Sequence, residues 1–239
     1  MTKSVDAHNT IQRNYFERAL KPTMVPADTP YIRRQVREMI EFAGLTPSDR
    51  ILEAGCGMGR YTLSLRARRL NVEGLDLSPV LLQHLREYAG DDAIPLHEGD
   101  IADPPRALRG RFDAVIGFFT LHHLHDLEAC FRGMRSMLRP GGRVAFLEPN
   151  ALNPLYYAQI ALSPGMTWEG DRGVADMRRG KVFAALERAG FSDPGLKRFG
   201  FFPPVLANRR WGAQVESVLE RNPFWRPFLP FQLFGAFSR

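Results

Sequence analysis

The stretch ILEAGCGMGR, residues 51–60, places three glycines at alternate positions directly after a short apolar run. A buried strand followed by a glycine-rich loop and a helix is typical of ligand-binding parallel sheets. Gly55, Gly57 and Gly59 form Gly-x-Gly-x-Gly, whereas a dinucleotide loop needs its third glycine one place later, where Arg60 stands. No Gly-Lys-Ser or Gly-Lys-Thr follows, so the stretch is not a Walker A loop.

Three carboxylates accompany this loop. Glu53 stands at the predicted strand end just before the glycines, where its charge would repel a phosphate. Asp76 ends the next predicted strand, the position from which a carboxylate accepts hydrogen bonds from both ribose hydroxyls of an adenosine. Asp100 follows the third predicted strand and could accept a hydrogen bond from the exocyclic amine of adenine. Each aspartate alone could merely cap the following helix, but the ordered set predicts a site for adenosine without phosphate.

Apolar runs alternate with amphipathic stretches along most of the chain, which predicts a parallel sheet covered by helices. Thr29-Pro30, Ser78-Pro79 and Asp126 are helix-start signals, and Gly44 is a stop signal. The predicted strands are 50–54, 72–77, 94–97, 112–119, 144–148, 196–202 and 231–237. The predicted helices include 11–20, 60–70, one from Asp126 through Leu138 to a stop at 140–142, and 181–189.

Composition sets wider limits. The 239 residues suffice for one α/β domain, and the polar N-terminus and the lack of long apolar runs predict a cytoplasmic protein. Cys56 and Cys130, the two cysteines, form neither a disulfide framework nor a zinc ligand set. The net charge of +6 and the pI near 9.7 suggest nucleic acid, but the arginines are scattered, which favours solvated helix faces and disfavours a nucleic-acid partner.

Five pieces of the sequence resemble those of the class I S-adenosylmethionine-dependent methyltransferases, within the small-molecule group related to ubiquinone and menaquinone biosynthesis. They are LEAGCGMGR, VEGLDLS, EGDIAD, FDAVIGFFTLHHL and LRPGGRVAFLEPN, in the family's order and spacing. The resemblance implies a Rossmann-like α/β fold: a seven-stranded, mostly parallel sheet with an antiparallel last strand and helices on both faces. We expect one catalytic domain over 1–239, with a helical N-terminal cap over the cofactor site at 1–46.

The resemblance also implies the cofactor, S-adenosylmethionine, with S-adenosylhomocysteine as product. Gly55 and Gly57 would lie against the methionine part, Glu53 would support its amine indirectly, and Asp76 would hold the ribose. Asp100 and Ile101 would bind the adenine, and the backbone around Gly117 and Phe118 the sulfonium side. The complete expected cofactor-binding set is Glu53, Gly55, Cys56, Gly57, Gly59, Asp76, Leu77, Asp100, Ile101, Gly117 and Phe118.

Transfer of a sulfonium methyl needs mainly in-line positioning, and a general base is required only if the nucleophile arrives protonated. Candidates for that base are His122, His123, Glu148 and Tyr15. A packing or cofactor-pocket role is the alternative for the two histidines. No metal is expected, because adjacent histidines diverge in direction and no cysteine joins them.

Two segments, 149–175 and 203–230, exceed the minimal fold and are rich in aromatic residues and proline. Such segments can build an apolar acceptor pocket or dip into a membrane interface. The helical apolar spacing from Trp211 to Leu219 favours core packing over membrane contact. The expected acceptor-binding residues are Tyr156, Tyr157, Trp168, Glu169 and Arg172.

The sequence therefore predicts methyl transfer to a small apolar or amphipathic acceptor, with oxygen as the favoured acceptor atom. An RNA methyltransferase is the alternative that the basic pI supports, and it would bind RNA in a salt-sensitive way. An adenosine-binding scaffold without turnover is the alternative from another class. An NAD oxidoreductase would require NADH to displace S-adenosylmethionine.

Overall fold

A computed structural model of the chain describes residues 10, 13, 24–157 and 172–238. Its centre is a seven-stranded sheet in the order β3-β2-β1-β4-β5-β7-β6. The strands are β1 Arg50–Ala54, β2 Asn71–Asp76, β3 Leu96–Glu98, β4 Phe112–Phe118, β5 Leu138–Pro149, β6 Phe191–Phe199 and β7 Phe231–Ser238. β7 runs antiparallel to both its neighbours, while the first five strands pair in parallel. The predicted α/β fold with an antiparallel last strand is confirmed.

Helices connect and cover these strands. They are α1 Pro30–Ala43, α2 Thr62–Arg66, α3 Pro79–Ala89, α4 Leu127–Met137, α5 Arg179–Arg188, α6 Pro204–Ala207 and α7 Gly212–Arg221. The three predicted start signals are confirmed, since Thr29, Ser78 and Asp126 each accept a hydrogen bond from a backbone N–H in the first helical turn. Gly44 ends α1 with a left-handed conformation, also as predicted. The predicted helix at 11–20 lies largely outside the described residues.

The core has a layer on each face of the sheet. On one face, Phe131 and Met134 of α4 and Val182 and Leu186 of α5 pack against buried strand residues such as Phe146. On the other face, the apolar side of α1 packs against β1, β4 and β5. Helices on both faces leave the carboxyl ends of the parallel strands as the exposed edge, where open α/β sheets bind ligands.

Several predicted boundaries were wrong. Leu138 was predicted to continue α4 but begins β5, where it is buried and pairs with Phe112; the strand then bulges before Arg143 pairs with Ala114. Pairing with β4 therefore outweighs the helical spacing. The helix predicted at 60–70 is only α2, and the left-handed Arg69 follows it. β6 overlaps the predicted strand 196–202, but it begins earlier, at Phe191, and ends earlier, at Phe199.

The 203–230 segment leaves the sheet after β6 and returns at the start of β7, so both ends lie at the carboxyl edge. Its helix α7 is fixed to α1 by ion pairs from Arg34 to Glu216 and Glu220. Trp211, Val215 and Val218 are exposed, so the prediction that this spacing packs into the core was wrong. Within the described ranges, no helix is long and apolar enough to cross a bilayer.

Candidate active site

The glycine loop lies between β1 and α2 at the carboxyl edge. Gly55, Gly57 and Gly59 all have positive φ, which L side chains adopt only with strain. A Cβ on Gly55 would lie 2.5 Å from the Cγ2 of Thr120, whereas among the described residues nothing lies within 4 Å of a Cβ on Gly57. Gly55 therefore allows a close internal contact, and Gly57 faces open space at the centre of the loop.

Glu53 lies beneath the loop and is only 1% exposed. The Thr62 hydroxyl donates a hydrogen bond of 2.6 Å to its Oε2. Burial raises the pKa of Glu53 to about 8, the Thr62 hydrogen bond lowers it, and the nearby charge of Asp76 raises it. A buried acid at this point disfavours phosphate and suits a ligand that brings positive charge.

The Asp76 carboxylate is held directly beside the loop. Its Oδ2 accepts the Gly57 N–H at 2.8 Å, and its Oδ1 accepts the Ser78 N–H at 2.9 Å. The Asp100 Oδ1 accepts the Ala102 N–H at 2.8 Å, after β3 at the same edge. Both aspartates do order the backbone that follows them, and Asp76 in addition orders the glycine loop itself.

Thr120 joins the glycine loop to the loop after β4. Its side chain fills the space over Gly55, and its hydroxyl oxygen lies 3.2 Å from the carbonyl oxygens of both Ala54 and Phe118, either of which can accept its one proton. Its backbone N–H donates to Glu148 Oε1 at 2.8 Å. One residue therefore contacts both the predicted cofactor loop and a predicted catalytic carboxylate. Sequence reasoning did not single it out.

Glu148 and His122 form a buried pair. Glu148 is fully buried at the end of β5, and its Oε1 also accepts the Leu121 N–H at 2.7 Å. Its Oε2 lies 2.6 Å from Nδ1 of His122. In the tautomer whose Nδ1 donates to this oxygen, Nε2 of His122 is the ring nitrogen that can accept a proton.

The ring of the second histidine lies against that of the first. The ring centroids of His122 and His123 lie 3.9 Å apart at a tilt of 43°. Gly173 packs closely against the carbonyl of His122. A Cβ on Gly173 would lie 1.8 Å from that carbonyl oxygen. The 3₁₀ turn Arg172–Asp176 therefore packs directly against the backbone of the His122–Glu148 pair.

An aromatic cluster begins at the glycine loop and extends toward β7. Tyr61 stacks on Phe118 at a centroid distance of 4.1 Å, and Phe119 lies 6.1 Å from Tyr61 and 5.8 Å from Phe231. Phe119 has φ +56 at the end of β4, a strained conformation of the kind that occurs at functional sites. Tyr31 of α1 completes the cluster, 5.8 Å from Phe231.

The two tyrosine hydroxyls of this cluster stay protonated near neutral pH. The Tyr61 hydroxyl donates to the Gln35 side-chain oxygen at 2.7 Å. Burial raises the pKa of Tyr31 to about 12 and raises the pKa of Tyr61 above its ordinary value. The Gln35 side chain also interacts with the Tyr31 hydroxyl, which partly offsets the effect of burial on the pKa of Tyr31. The cluster thus combines aromatic rings with two phenols that are protonated near neutral pH.

The side chains of Cys56 and Ile101, two other predicted cofactor residues, are buried in the fold. The Cys56 side chain packs between Leu82, Leu85 and Ile94, away from the loop surface. The Leu77 carbonyl, just after β2, accepts a hydrogen bond from the Arg13 side chain at 3.0 Å. Ile101 is buried, and Gly117 is required by Phe146, whose ring a Cβ there would meet at 2.4 Å.

Three of the five predicted acceptor-side residues lie in the described ranges. Tyr156 and Tyr157 follow β5, and the Tyr157 hydroxyl donates to the Ala151 carbonyl at 2.9 Å. Arg172 begins the 3₁₀ turn that packs on His122. Trp168 and Glu169, together with the candidate base Tyr15, lie outside the described residues. In the described part of the chain, no group of three or more His, Cys, Asp or Glu residues could hold a metal ion.

The residues at this edge fit S-adenosylmethionine. The open space above Gly57 is the cradle that a side chain would fill, and the buried acid Glu53 suits an ammonium group and a sulfonium. Asp76 and Asp100 stand at successive strand ends, as an adenosine requires. The fold and the site thus define a Rossmann-like protein for an adenosine ligand without phosphate.

Comparison with known proteins agrees with this class. Residues 51–142 match the family model described as "Methyltransferase domain". An S-adenosyl-L-methionine-dependent Diels-Alderase of Talaromyces variabilis is 28% identical over 178 residues, covering 68% of this chain and 59% of that protein. A malonyl-[acyl-carrier protein] O-methyltransferase of Erwinia pyrifoliae is 36% identical over 117 residues, covering 48% of this chain and 43% of that protein. The matched stretches thus span about half the length of these relatives.

A solved structure extends the likeness to the whole fold. Phosphoethanolamine N-methyltransferase 2 of Haemonchus contortus, in complex with phosphomonomethylethanolamine and S-adenosylhomocysteine, has a TM-score of 0.66 at 16% identity, covering 95% of this chain and 60% of that one. Residues 51–142 thus match a methyltransferase domain, and the chain shares its fold with a methyltransferase of known structure. The cofactor of this family is S-adenosylmethionine.

Proposed function

We propose that this protein transfers the methyl group of S-adenosylmethionine to a hydroxyl of a small apolar or amphipathic acceptor. The observation that carries the proposal is the contact through Thr120, which brings the glycine loop against the His122–Glu148 pair. A cofactor loop and a candidate base are thereby held at one edge of the sheet. Such fixed positioning is the main requirement of an in-line transfer.

The cofactor would be held by the strand-end acids and the loop backbone. Asp76 would bind the ribose, Asp100 and Ile101 the adenine, and Gly55 and Gly57 the methionine part. Glu53 would lose its proton as positive charge enters the site, because that charge lowers the pKa that burial has raised. When bound, S-adenosylmethionine supplies an electrophilic methyl on a sulfonium.

His122 would act as the general base through Nε2. Glu148 would act as a positioning residue, because its oxygens are fully buried and accept hydrogen bonds from Thr120, Leu121 and His122. The raised pKa values of Tyr31 and Tyr61 make both phenols poor bases near neutral pH. A dedicated base is needed for a hydroxyl nucleophile, which supports oxygen as the acceptor atom.

The aromatic cluster supports an apolar or amphipathic acceptor. Phe119 and Phe231 are partly exposed, and Phe119 lies against the buried Tyr61 beside the glycine loop. Tyr156, Tyr157, Trp168, Glu169 and Arg172 remain our proposed contacts on the acceptor side.

The experiment is production of S-adenosylhomocysteine with a panel of phenols and aliphatic alcohols. His122→Gln should lower kcat/KM by about 10²- to 10⁴-fold for a protonated hydroxyl acceptor while the cofactor Kd stays unchanged. Glu148→Gln should lower kcat and change the pH profile, because the base loses its orientation. His84→Gln is the matched control, since His84 also faces a carboxylate, Glu87, but on the exposed surface of α3.

Two results would contradict the proposal. Full activity of His122→Gln with every hydroxyl acceptor would exclude the base. Tight cofactor binding without any S-adenosylhomocysteine would favour a scaffold, or a reaction that uses the cofactor without consuming it, as the name of the Talaromyces relative suggests. Methylation of RNA with strongly salt-dependent binding would favour the nucleic-acid alternative.

A further inference from the structure

Helix α7 has the reverse of the usual surface pattern. Its carboxylates point inward: Glu216 is only 3% exposed and, with Glu220, pairs with Arg34 of α1. Glu216 Oε1 also accepts the N–H groups of Phe201 and Phe202, at 2.6 and 2.9 Å. The opposite face carries Val215 and Val218, which are 41% and 64% exposed. A surface helix normally buries its apolar side and exposes its acids.

The exposed apolar residues of α7 continue into the turns around it. Of the twelve large hydrophobic residues that are exposed in the described ranges, seven lie between 205 and 228. We call six of them the apolar face: Trp211, Val215, Val218, Phe224, Trp225 and Phe228. A contiguous cluster of this kind marks an interaction site, whereas isolated exposed hydrophobic residues do not.

The apolar face adjoins the turn after β5. The Asn150 side chain donates to the carbonyls of Pro227 and Leu229, at 2.8 and 2.7 Å, and the Asn153 side chain donates to that of Phe228 at 2.8 Å. Leu152 and Leu155, which are close to these two asparagines in the sequence, are exposed as well. The combined surface belongs to the carboxyl edge of the sheet, which also carries the candidate active site.

The charge on this surface has one sign. The acids of the 203–230 segment are Glu216 and Glu220, and both are engaged with Arg34. Its other charged residues are four exposed arginines: Arg209, Arg210, Arg221 and Arg226. Within the described residues none of the four forms an ion pair. Segments that lie in the interface of an anionic bilayer typically combine an apolar helix face with tryptophan, phenylalanine and arginine. The 203–230 segment has this composition.

We propose that the apolar face and its four arginines dock this protein on the surface of an anionic lipid bilayer. The apolar side chains would enter the headgroup boundary, and the arginines would contact lipid phosphates. Arg34 would hold α7 in the orientation that presents Val215 and Val218 to the lipid. This binding does not require the proposed methyl transfer, so either proposal can fail while the other stands.

The test uses the full chain with vesicles of phosphatidylcholine, alone or mixed with phosphatidylglycerol, in co-sedimentation at low salt. We expect binding to the mixed vesicles and much weaker binding to phosphatidylcholine. Arg221→Gln/Arg226→Gln should weaken binding about thirtyfold, and added salt should act in the same direction. Val218→Ser/Phe224→Ser should weaken it at least about tenfold, because these two side chains are among the most exposed.

The control double variant is Val80→Ser/Tyr88→Ser, which removes exposed apolar side chains from α3 and should leave vesicle binding unchanged. Trp211 and Trp225 report insertion directly, since their fluorescence should shift to the blue on mixed vesicles. Absence of vesicle binding at low salt would overturn the proposal. So would equal binding of wild type and Val218→Ser/Phe224→Ser, or a concentration-dependent dimer that this variant abolishes without any vesicle binding.

Discussion

Gly55 and Gly57 share a backbone conformation but not an environment, and this difference can be measured. Their φ values are +73 and +52, so alanine at either position carries the left-handed penalty of about 1–2 kcal/mol. At Gly55 the new methyl would also meet Thr120 Cγ2 at 2.5 Å and Oγ1 at 2.8 Å. Overpacking of this kind costs about 1–3 kcal/mol more.

We therefore expect Gly57→Ala to lower the free energy of unfolding by about 1–2 kcal/mol and Gly55→Ala by about 2–5 kcal/mol. The assay is equilibrium urea unfolding of the cofactor-free protein, with calorimetric titration of S-adenosylmethionine alongside. Gly57→Ala should lose most of its cofactor affinity despite the smaller loss of stability, because its methyl would project into the open cradle.

Thr120→Ser provides the internal control for the steric part. It removes the Cγ2 methyl and keeps the hydroxyl that bonds to the Ala54 carbonyl. In the Thr120→Ser background, the penalty of Gly55→Ala should shrink, while that of Gly57→Ala should not change. Equal losses of stability at Gly55 and Gly57 would refute the reasoning, as would unchanged cofactor affinity in Gly57→Ala.

The remaining predictions concern the buried acid and the packing behind the candidate base. Burial raises the pKa of Glu53 to about 8, so between about pH 4.5 and 8 the unfolded state binds fewer protons than the folded state. The free energy of unfolding of the cofactor-free protein should therefore fall as the pH rises through this range. Glu53→Gln should flatten that slope in pH-dependent urea unfolding. Binding of S-adenosylmethionine at pH 7 should release protons in wild type and none through this site in Glu53→Gln, as calorimetry in buffers of different ionisation enthalpy would show. Gly173→Ala should cost about 1–3 kcal/mol of stability in urea unfolding and lower kcat, because its Cβ would lie 1.8 Å from the His122 carbonyl. The control Gly180→Ala meets nothing within 4 Å among the described residues and should stabilise by about 0.4–1 kcal/mol; equal effects of the two substitutions would contradict the packing argument.

Local signals were enough to predict most of the sheet and the helix starts. The caps at Thr29, Ser78 and Asp126 depend on contacts within three residues, which the sequence contains directly. β1, β2 and β4 are buried runs bounded by turns, so their positions were predicted closely. The strand-end position of Asp76 follows from the run that forms β2, so the sequence predicts this carboxylate at the carboxyl edge, where the structure has it.

Features that depend on distant partners were missed. The role of Thr120 depends on its approach to Gly55, and nothing in the local sequence indicates that contact. The orientation of α7 is set by Arg34, which lies 182 residues before Glu216. The apolar spacing therefore predicted burial of the face that carries Val215 and Val218, whereas the structure buries the face that carries Glu216. The same spacing rule failed at Leu138, whose partner is Phe112 in β4.

Because β7 lies between β5 and β6, this side of the sheet cannot assemble until β7 has been synthesised. β6 has β7 as its hydrogen-bonded neighbour in the sheet, and β7 follows it by more than thirty residues. While the ribosome is still adding the segment after Phe199, β5 has an open edge on that side and β6 has no strand to pair with. Open edges of this kind invite pairing with other chains, so the nascent protein passes through a stage at which chaperone protection of these two strands would matter.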